Sequence, residues 1–367
     1  MEQKDEYGAD TLGDNYDGEY DVDRPGEREA PPMDIRVQQF KSAPGIYYDD
    51  HVRTTRTAEQ RNSTHDHLAA TPSHCSAVLR VSAERRLPLA DDNVHKNKAA
   101  VNWSDVKPMR QHVSVPVKVL KGAGRITNGE VATLGQFPYQ AGLIITVSEG
   151  QAFCGGSLIS DTWILTAAHC ADPGTLFEIH LGALYVRQEE AQQVVLSSTT
   201  KIVHNRYIAS PPSNDIALVQ LPSAVTFNEY IQPVNLPSSS ELNDKFVGAE
   251  TTVSGWGLES DSSDQISEVL RYAVAPVISH LTCNLRYFFQ IDDDMHICTS
   301  GDNGVSTCNG DSGGPLVIYE DDGSATQIGI VSFGIVLGCE VGWPPVFTRV
   351  TNYMDWISEN SGIAIRS

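Results

Sequence analysis

The sequence predicts an all-β domain that starts near residue 126 of the 367-residue chain and follows a largely disordered segment. The first observation behind this prediction is that short apolar runs alternate with turn residues after residue 125, as in a β-barrel or a β-sandwich. The second is that four of the five Trp and nine of the ten Phe residues lie after residue 125. Only this part of the chain therefore has enough apolar material for a sizeable core.

The N-terminal extension, residues 1–125, differs from the rest of the chain in its charge. Residues 1–34 carry a net charge of −9 and residues 35–125 a net charge of +7, without a repeat or a clear periodicity. We interpret the acidic start as a solvated tail and predict that the extension is mostly disordered. A short edge strand at 113–119, where apolar residues alternate around Pro116, is the one expected element.

The domain at 126–367 carries a net charge of −19, out of −21 for the whole chain. Such an acidic protein lacks the Lys and Arg residues that neutralise phosphates, so we expect no nucleic-acid partner. The sequence also has no run of about 18 apolar residues that could span a bilayer, and we expect no membrane partner. Among its expected strands are 139–147, 163–167, 178–181, 216–221, 249–254, 315–319 and 327–333. Val350, Tyr353, Met354 and Ile357 then recur at the spacing of one helix face, which predicts a C-terminal amphipathic helix.

The seven cysteines indicate disulfides. Six of them lie in the predicted domain and allow three bridges in fifteen possible connectivities. Zinc is the rival interpretation, but no Cys-x-x-Cys pair is present, so we expect no metal. Cys75 is left over, as a free thiol or a partner in an intermolecular bridge. Three bridges predict an oxidising compartment.

Three segments together carry the elements of nucleophilic catalysis. They are Leu165–Cys170 with His169, Asn214–Leu218 with Asp215, and Gly310–Pro315 with Ser312. A serine hydroxyl becomes a good nucleophile when a histidine takes its proton, and the histidine needs a carboxylate to fix its tautomer. The glycines around Ser312 allow backbone N–H groups to face a developing oxyanion.

With these motifs, residues 126–367 resemble the chymotrypsin-like (trypsin-type) serine proteases, and in particular the arthropod chymotrypsin-like and collagenolytic (brachyurin-type) enzymes. The resemblance to the sub-family rests on the segments 125–129, 270–272 and 338–344. It implies two six-stranded antiparallel β-barrels with a C-terminal α-helix. It also implies His169 as general base and acid, Asp215 as its orienting carboxylate, Ser312 as nucleophile, and the N–H groups of Gly310 and Ser312 as oxyanion hole.

The segment Arg125–Gly129 resembles the activation junction of this family. Cleavage after Arg125 would give Ile126 a free α-amino group, for which Asp311 is the implied partner. The intact chain is therefore expected to be a zymogen that a trypsin-like protease activates. Asn235 stands where some members have a cysteine that tethers the propeptide, so the extension should be free to leave unless non-covalent contacts hold it.

The resemblance implies three disulfide bridges and no cofactor. The implied pairs are Cys154–Cys170, Cys283–Cys298 and Cys308–Cys339. Ala183 stands where trypsins have a calcium-binding glutamate, so we expect no calcium site of that kind. We expect a monomer whose partners are protein or peptide substrates, an activating protease and protein protease inhibitors.

The primary specificity pocket should have Ser306 at its base, where trypsins have an aspartate. Together with Gly334 on the wall, this resembles chymotrypsins and favours Phe, Tyr, Trp or Leu before the cut. Ser332, Phe333 and Gly334 resemble the segment that pairs with the substrate backbone, and Pro345 replaces a small wall residue. Elastase-like or collagenolytic specificity is the alternative.

The function predicted from the sequence is a secreted digestive endopeptidase zymogen, although the first residues lack the apolar core of a secretion signal. A second hypothesis is a regulatory protease whose N-terminal extension binds a partner. Clip-type modules need several cysteines, and the extension has only Cys75. A third hypothesis, an inactive homologue, is disfavoured by Ser312 within a complete set of motifs.

Overall fold

A computed structural model describes residues 101–109, 111–114, 129–302 and 306–367 of the chain. These residues form mostly short strands, as the spacing of the apolar runs predicts. In chain order the strands are β1 (Val106–Pro108), β2 (His112–Val113), β3 (Glu130–Val131), β4 (Gln140–Val147), β5 (Gly150–Leu158), β6 (Trp163–Thr166), β7 (Leu176–Leu181), β8 (Val194–Ser198), β9 (Lys201–Val203), β10 (Ile208–Ala209), β11 (Pro212–Ser213), β12 (Ala217–Gln220), β13 (Glu250–Gly255), β14 (Arg271–Pro276), β15 (His296–Cys298), β16 (Pro315–Tyr319), β17 (Ala325–Ile335) and β18 (Val346–Arg349).

Apart from β10 and β11, which pair with each other, the strands form two curled sheets that are antiparallel except at one added strand each. The first has the order β8-β7-β4-β5-β6-β12-β9, and the second has the order β15-β18-β17-β16-β13-β14-β3. The two sheets correspond to the two barrels of the predicted fold, so the predicted fold class is confirmed. Phe153, Leu143 and Ile164 of the first sheet are fully buried, and so is Phe347 of the second. The strands β4 and β6 of the first sheet and β17 and β18 of the second are buried along nearly their whole length, so each sheet curls around a core.

The added strands come from the N-terminal extension. β1 pairs in parallel with β5 of the first sheet, and β2 pairs in parallel with β17 of the second. Of the predicted strand at 113–119, the structure describes Val113 and Ser114, and Val113 ends β2. The rest of that prediction, and the state of residues 1–100, lie outside the described residues.

Three helices complete the described chain: α1 (Ala168–Ala171), α2 (His280–Arg286) and α3 (Met354–Ser361). The predicted C-terminal helix is present, but its first turn, Val350–Tyr353, is a 3-10 turn. Met354 and Ile357 of α3 are buried against the core, as their spacing predicts. Gly362 ends α3 with φ at 77°, a left-handed conformation that glycine adopts without steric cost. None of the described helices is long and apolar enough to cross a membrane.

The three disulfides of the structure join Cys154 to Cys170, Cys283 to Cys298 and Cys308 to Cys339. These are the pairs that the resemblance implies. The first bridge connects β5 to α1, the helix of His169. The third connects the loop that precedes Ser312 to the segment that follows β17. Two of the three bridges therefore stabilise segments next to the candidate nucleophile and base.

Candidate active site

His169 and Asp215 are brought together by strand pairing within the first sheet. His169 lies in α1, which follows β6, and Asp215 precedes β12. β6 and β12 are antiparallel neighbours, with Thr166 opposite Ala217. The end of β6 and the start of β12 therefore meet at the same edge of the sheet. Two residues that are far apart in sequence become neighbours by this register.

The imidazole of His169 and the carboxylate of Asp215 form a buried hydrogen bond. His169 Nδ1 lies 2.8 Å from Asp215 Oδ2, and the backbone N–H of His169 donates to Asp215 Oδ1 at 2.9 Å. Since a carboxylate only accepts, Nδ1 carries the hydrogen and Nε2 is left as the basic nitrogen. Nε2 is buried and has no hydrogen-bond partner among the described residues. The pair is thus arranged to accept a proton at Nε2.

Two hydroxyl groups of the second sheet hold Asp215 from the other side. Ser332 Oγ donates to Asp215 Oδ2 at 2.5 Å, and Thr348 Oγ1 donates to the Asp215 carbonyl oxygen at 2.8 Å. Burial alone raises the pKa of Asp215, but the electrostatic attraction of His169 and the hydrogen bonds from His169 and Ser332 outweigh it. The pKa of Asp215 is therefore lowered from its ordinary value, and the carboxylate stays ionised.

Ser312 lies in the loop before β16, and glycines shape that loop. Gly313 has φ at 81°, and a Cβ on it would lie 2.6 Å from the carbonyl oxygen of Gly155. The loop is tied to the first sheet by the N–H of Gly155, which donates to the Ser312 carbonyl at 2.8 Å. Ser312 is 5% exposed. The tight turn places the serine beside α1, where Sγ of Cys170 lies 3.5 Å from the Ser312 carbonyl oxygen.

Asp311, next to the nucleophile, is a buried carboxylate of a different kind. It is fully buried and accepts hydrogen bonds from the N–H groups of Gly257, at 2.8 Å, and Cys308, at 2.9 Å. No cationic group pairs with it in the described part of the chain. Burial is the dominant influence and raises its pKa to about 6, although the two backbone N–H groups oppose the rise.

The predicted specificity residues line one pocket beside Ser312. Ser306, Ser332, Phe333, Gly334 and Pro345 all contribute to it. No acidic side chain lines this pocket among the described residues. Ser306 is 7% exposed, and its hydroxyl donates to the carbonyl oxygen of Thr307. A pocket without a carboxylate favours apolar over cationic side chains.

Some residues of the site could not be found by sequence reasoning. Thr348 holds the backbone of Asp215, and Tyr287 and Trp343 line the pocket. A threonine in a strand and a tyrosine at the end of a helix carry no local signal, and the segment of Trp343 indicated the sub-family but not a role in the pocket. The segment of Ser332 was expected to pair with substrate, and its hydroxyl also contacts Asp215. The predicted junction residues Arg125 and Ile126 lie outside the described residues.

Comparison with known proteins gives the family. The family model described as Trypsin matches residues 126–357, which include His169, Asp215 and Ser312. The chain belongs to the trypsin family. Within that family it is a serine endopeptidase of the chymotrypsin-like class, and the resemblance stated from the motifs is confirmed.

Several relatives of known name cover the same part of the chain. Brachyurin of Leptuca pugilator is 45% identical over 238 residues, which are 65% of this chain and 99% of the relative. Collagenase of Hypoderma lineatum is 43% identical over 241 residues, 65% of this chain and 88% of the relative. The solved structure of HL collagenase is 41% identical, with a TM-score of 0.59 over 65% of this chain and 99% of the other. These similarities confirm the arthropod collagenolytic type within the family.

Proposed function

We propose that the chain is the zymogen of a secreted serine endopeptidase, in which His169, Asp215 and Ser312 hydrolyse peptide bonds through an acyl-enzyme. His169 Nε2 takes the proton of Ser312 as the hydroxyl attacks and returns it to the leaving amine. Asp215 keeps the hydrogen on Nδ1 and stabilises the imidazolium that forms. The N–H groups of Gly310 and Ser312 stabilise the oxyanion.

The observation that carries the zymogen proposal is the environment of Asp311. A fully buried carboxylate whose described partners are two backbone N–H groups has a raised pKa because its charge is poorly compensated. A new α-amino group on Ile126 would supply the missing cation, and pairing with Asp311 would order the neighbouring loop of Gly310 and Ser312. Cleavage after Arg125 is therefore the activating step, and a trypsin-like protease is its agent.

The junction is tested by comparing the wild-type chain with the Arg125→Gln variant, each treated with a small amount of trypsin. We expect hydrolysis of a peptide substrate and labelling by a fluorophosphonate probe to rise in the wild type only. Ser312→Ala, cut in the same way, should neither hydrolyse nor react. Equal activity of the wild type and the Arg125→Gln variant would show that activation does not need this cut.

The pocket supports a preference for a large apolar residue before the cut. Ser306 lies in it together with Gly334, and none of the described lining residues is acidic. A series of nitroanilide substrates with Phe, Leu, Ala or Arg before the scissile bond measures this preference. We expect Phe and Leu to be cleaved with the highest kcat/KM. A dominant Arg substrate would contradict the assignment of the pocket.

A broader specificity that includes collagen is the second candidate. It is favoured by the relatives, because a protein named collagenase and a brachyurin are 43% and 45% identical to the chain. Native and heat-denatured collagen, incubated with the cut enzyme below the melting temperature of the triple helix, distinguish the two candidates. Cleavage of the native form supports collagenolysis, whereas cleavage of the denatured form alone supports the chymotrypsin-like function.

Secretion and a digestive role belong to the same proposal. Three disulfides are formed in the described chain, which suits an oxidising compartment. Protein substrates follow from the family, and protein protease inhibitors are the other partners that we propose for a monomeric enzyme. Detection of the cut protein, beginning at Ile126, in the extracellular fluid of its tissue would test the location.

A further inference from the structure

The described part of the N-terminal extension lies along the candidate active site. β1 runs beside β5 of the first sheet, with Val106 opposite Gln151 and Pro108 opposite Phe153. β2 runs beside β17 of the second sheet, with His112 opposite Gly334. The described residues of this segment, 101–109 and 111–114, therefore contact both sheets, and Gln111 and His112 line the same pocket as Ser312.

The centre of this segment contacts a group that catalysis needs. The N–H of Met109 donates to the Phe153 carbonyl at 2.9 Å, and the Met109 carbonyl oxygen accepts from the N–H of Gly310 at 3.2 Å. Gly310 is one of the two proposed oxyanion donors. In the uncut chain this donor is thus already occupied by a carbonyl oxygen of the extension. Gln111 and His112, which follow, line the pocket that contains Ser306.

An aromatic residue anchors the first half of the segment. The ring of Trp103 lies 6.5 Å from the ring of Phe153 and 6.1 Å from that of His180, and the guanidinium carbon of Arg187 lies 6.0 Å from the Trp103 ring. Val106 is 5% exposed and packs in the same core cluster as Phe153. Aromatic and cation–π contacts of this kind are typical of the residues that dominate binding energy.

The second half of the segment is anchored on the second sheet. Val113 is 7% exposed and packs with Tyr287 and Phe333, which also line the specificity pocket. The N–H of Gly334 and the carbonyl oxygen of Gln111 are 3.4 Å apart. Gln111 Nε2 also donates to the Ala209 carbonyl at 2.9 Å. The contacts on both sheets are thus those of a peptide bound as an added strand.

The direction of this peptide differs from that of a cleavable substrate. The residue before the scissile bond must enter the pocket beside β17, so the acyl half of a substrate lies on the second sheet. The leaving half then lies on the side of β5 and His169. Segment 101–114 runs the other way, with β1 on β5 and the later β2 on β17. If the segment were cut at its centre, the amine of its C-terminal half would leave on the side of the second sheet. That side is away from His169, which lies on the first sheet.

We propose that residues 101–114 are an inhibitory peptide ligand of the cleft, that they bind it in the reverse direction, and that they stay bound after cleavage after Arg125. The proposal rests on the proposed protease function for its inhibitory consequence, but the binding itself does not require activity. The six cysteines of the described residues pair with one another, so the contacts that hold this segment are non-covalent.

This mode of inhibition has a distinctive dependence on concentration. Before the cut, the segment and the cleft belong to one chain, and their effective concentration is of the order of millimolar. After the cut they are two molecules, so that dilution releases the segment by mass action. The specific activity of the freshly cut enzyme should therefore rise with dilution, whereas removal of a merely passive extension would give an activity that is independent of dilution.

The experiment uses the full chain with a junction that only enteropeptidase cleaves, with aspartates in place of Lys121–Gly124 and with Arg125→Lys. This design avoids trypsin, which would also cut after Arg110 inside the segment. After cleavage, gel filtration shows whether the extension co-elutes with the protease domain, and peptide hydrolysis is measured over a hundredfold dilution. The variants are Trp103→Ala and, as a matched control of an exposed residue in β1, Lys107→Ala.

We expect co-elution for the wild type and Lys107→Ala, and a loss of affinity of about 10- to 100-fold for Trp103→Ala. Separate elution of the wild-type extension at micromolar concentration would overturn the proposal. Co-elution in a Ser312→Ala background, where activity is absent, keeps binding separate from the protease function. If the chain binds its extension but never hydrolyses a substrate, the proposed function fails while the binding proposal holds.

A synthetic peptide of residues 101–114, added to enzyme that has been diluted free of its extension, tests the direction and covers the case in which Trp103→Ala does not fold. We expect competitive inhibition without hydrolysis of the peptide, as measured by mass spectrometry, and no inhibition by a scrambled peptide of the same composition. Rapid cleavage between Met109 and Arg110 would show that the segment binds as a substrate, and the reverse direction would be wrong.

Discussion

Asp215 and Asp311 are both fully buried carboxylates at the same site, yet their pKa values shift in opposite directions. Asp215 faces an imidazole and a hydroxyl group, and its pKa is lowered. Asp311 faces two backbone N–H groups, and its pKa is raised to about 6. Burial acts in the same direction on both, so the difference arises from the charge and number of the partners. Among the described residues, the carboxylate beside the proposed base thus has its partners, while the carboxylate beside the proposed nucleophile has no cation.

The uncut chain that we propose as a zymogen would be restrained in two ways. In the activation that we propose, the first is electrostatic, because Asp311 would form an ion pair that orders the loop of Ser312 only once Ile126 has a free amine. The second is steric, because the Met109 carbonyl occupies the N–H of Gly310. The pair of His169 and Asp215 takes part in neither restraint. We therefore expect substitutions of Asp215 to act on the catalytic base and substitutions of Asp311 to act on activation.

The largest expected effect is that of Asp215→Asn in the cut enzyme. An amide at this position donates as well as accepts, so it can hold His169 in the wrong tautomer. We expect kcat/KM to fall by about 10⁴-fold, with little change in KM. Steady-state hydrolysis of a Phe nitroanilide measures it, with Ser312→Ala as the reference for full loss. A decrease of less than tenfold would show that Asp215 does not orient the base.

Asp311→Asn should have a smaller effect on activity, which appears only after the cut. An asparagine cannot form the ion pair with the Ile126 amine, so the loop of Gly310 and Ser312 stays poorly ordered. We expect kcat/KM of the cut enzyme to fall by about 10²- to 10³-fold. Asp321→Asn, at an exposed acidic position, is the matched control and should retain its activity. Equal activities of the two variants would contradict the role of Asp311.

The stability of the uncut chain should depend on pH through Asp311. Its pKa of about 6 in the folded state lies above the ordinary value of 3.8, so folding favours the protonated form. The associated stability is present below about pH 4 and is lost as pH rises through 6, in total about 2–3 kcal/mol. Urea unfolding of wild type and Asp311→Asn between pH 4 and pH 8 measures this difference. A difference that does not change with pH would be inconsistent with a buried, uncompensated carboxylate.

The smallest expected effect concerns the hydroxyl groups around Asp215. Ser332→Ala removes one hydrogen bond to the carboxylate, and we expect a loss of about 1–2 kcal/mol, or about tenfold in kcat/KM. Thr348→Val removes a bond to the backbone carbonyl only, so it should affect stability more than catalysis. Rates and melting temperatures of both variants measure these losses. A larger loss of kcat/KM in Thr348→Val than in Ser332→Ala would reverse the assignment.

The sequence predicted those parts of the molecule that depend on local pattern. The fold class follows from short apolar runs, and the sheet strands β4, β6, β7, β12, β13, β16 and β17 lie in or overlap the predicted runs. The motifs of His169, Asp215 and Ser312 are short strings with specific chemistry, so they were visible without a structure. The C-terminal helix was predicted from its spacing, although Val350–Tyr353 forms a 3-10 turn.

The rest depends on contacts between distant parts of the chain. The bond from Thr348 to Asp215 joins residues 133 positions apart, and no local pattern distinguishes this threonine from others in strands. β1 and β2 have three and two residues, which is too short for an alternation to be recognised. They form because the start of β5 and the end of β17 extend past their neighbours β6 and β18 and leave backbone groups unpaired, a property of the folded sheets and not of the segment itself.

The most direct test of the central claim is the effect of Asp311→Asn on the free energy of unfolding in the uncut and the cut chain. Both forms are made in a Ser312→Ala background at pH 8, so that neither digests itself. We predict that the substitution stabilises the uncut chain by about 2–3 kcal/mol and destabilises the cut chain by about 3–5 kcal/mol, because only the cut chain supplies the amine. A change of the same sign in both forms would contradict the claim that Asp311 lacks its partner until Ile126 is released.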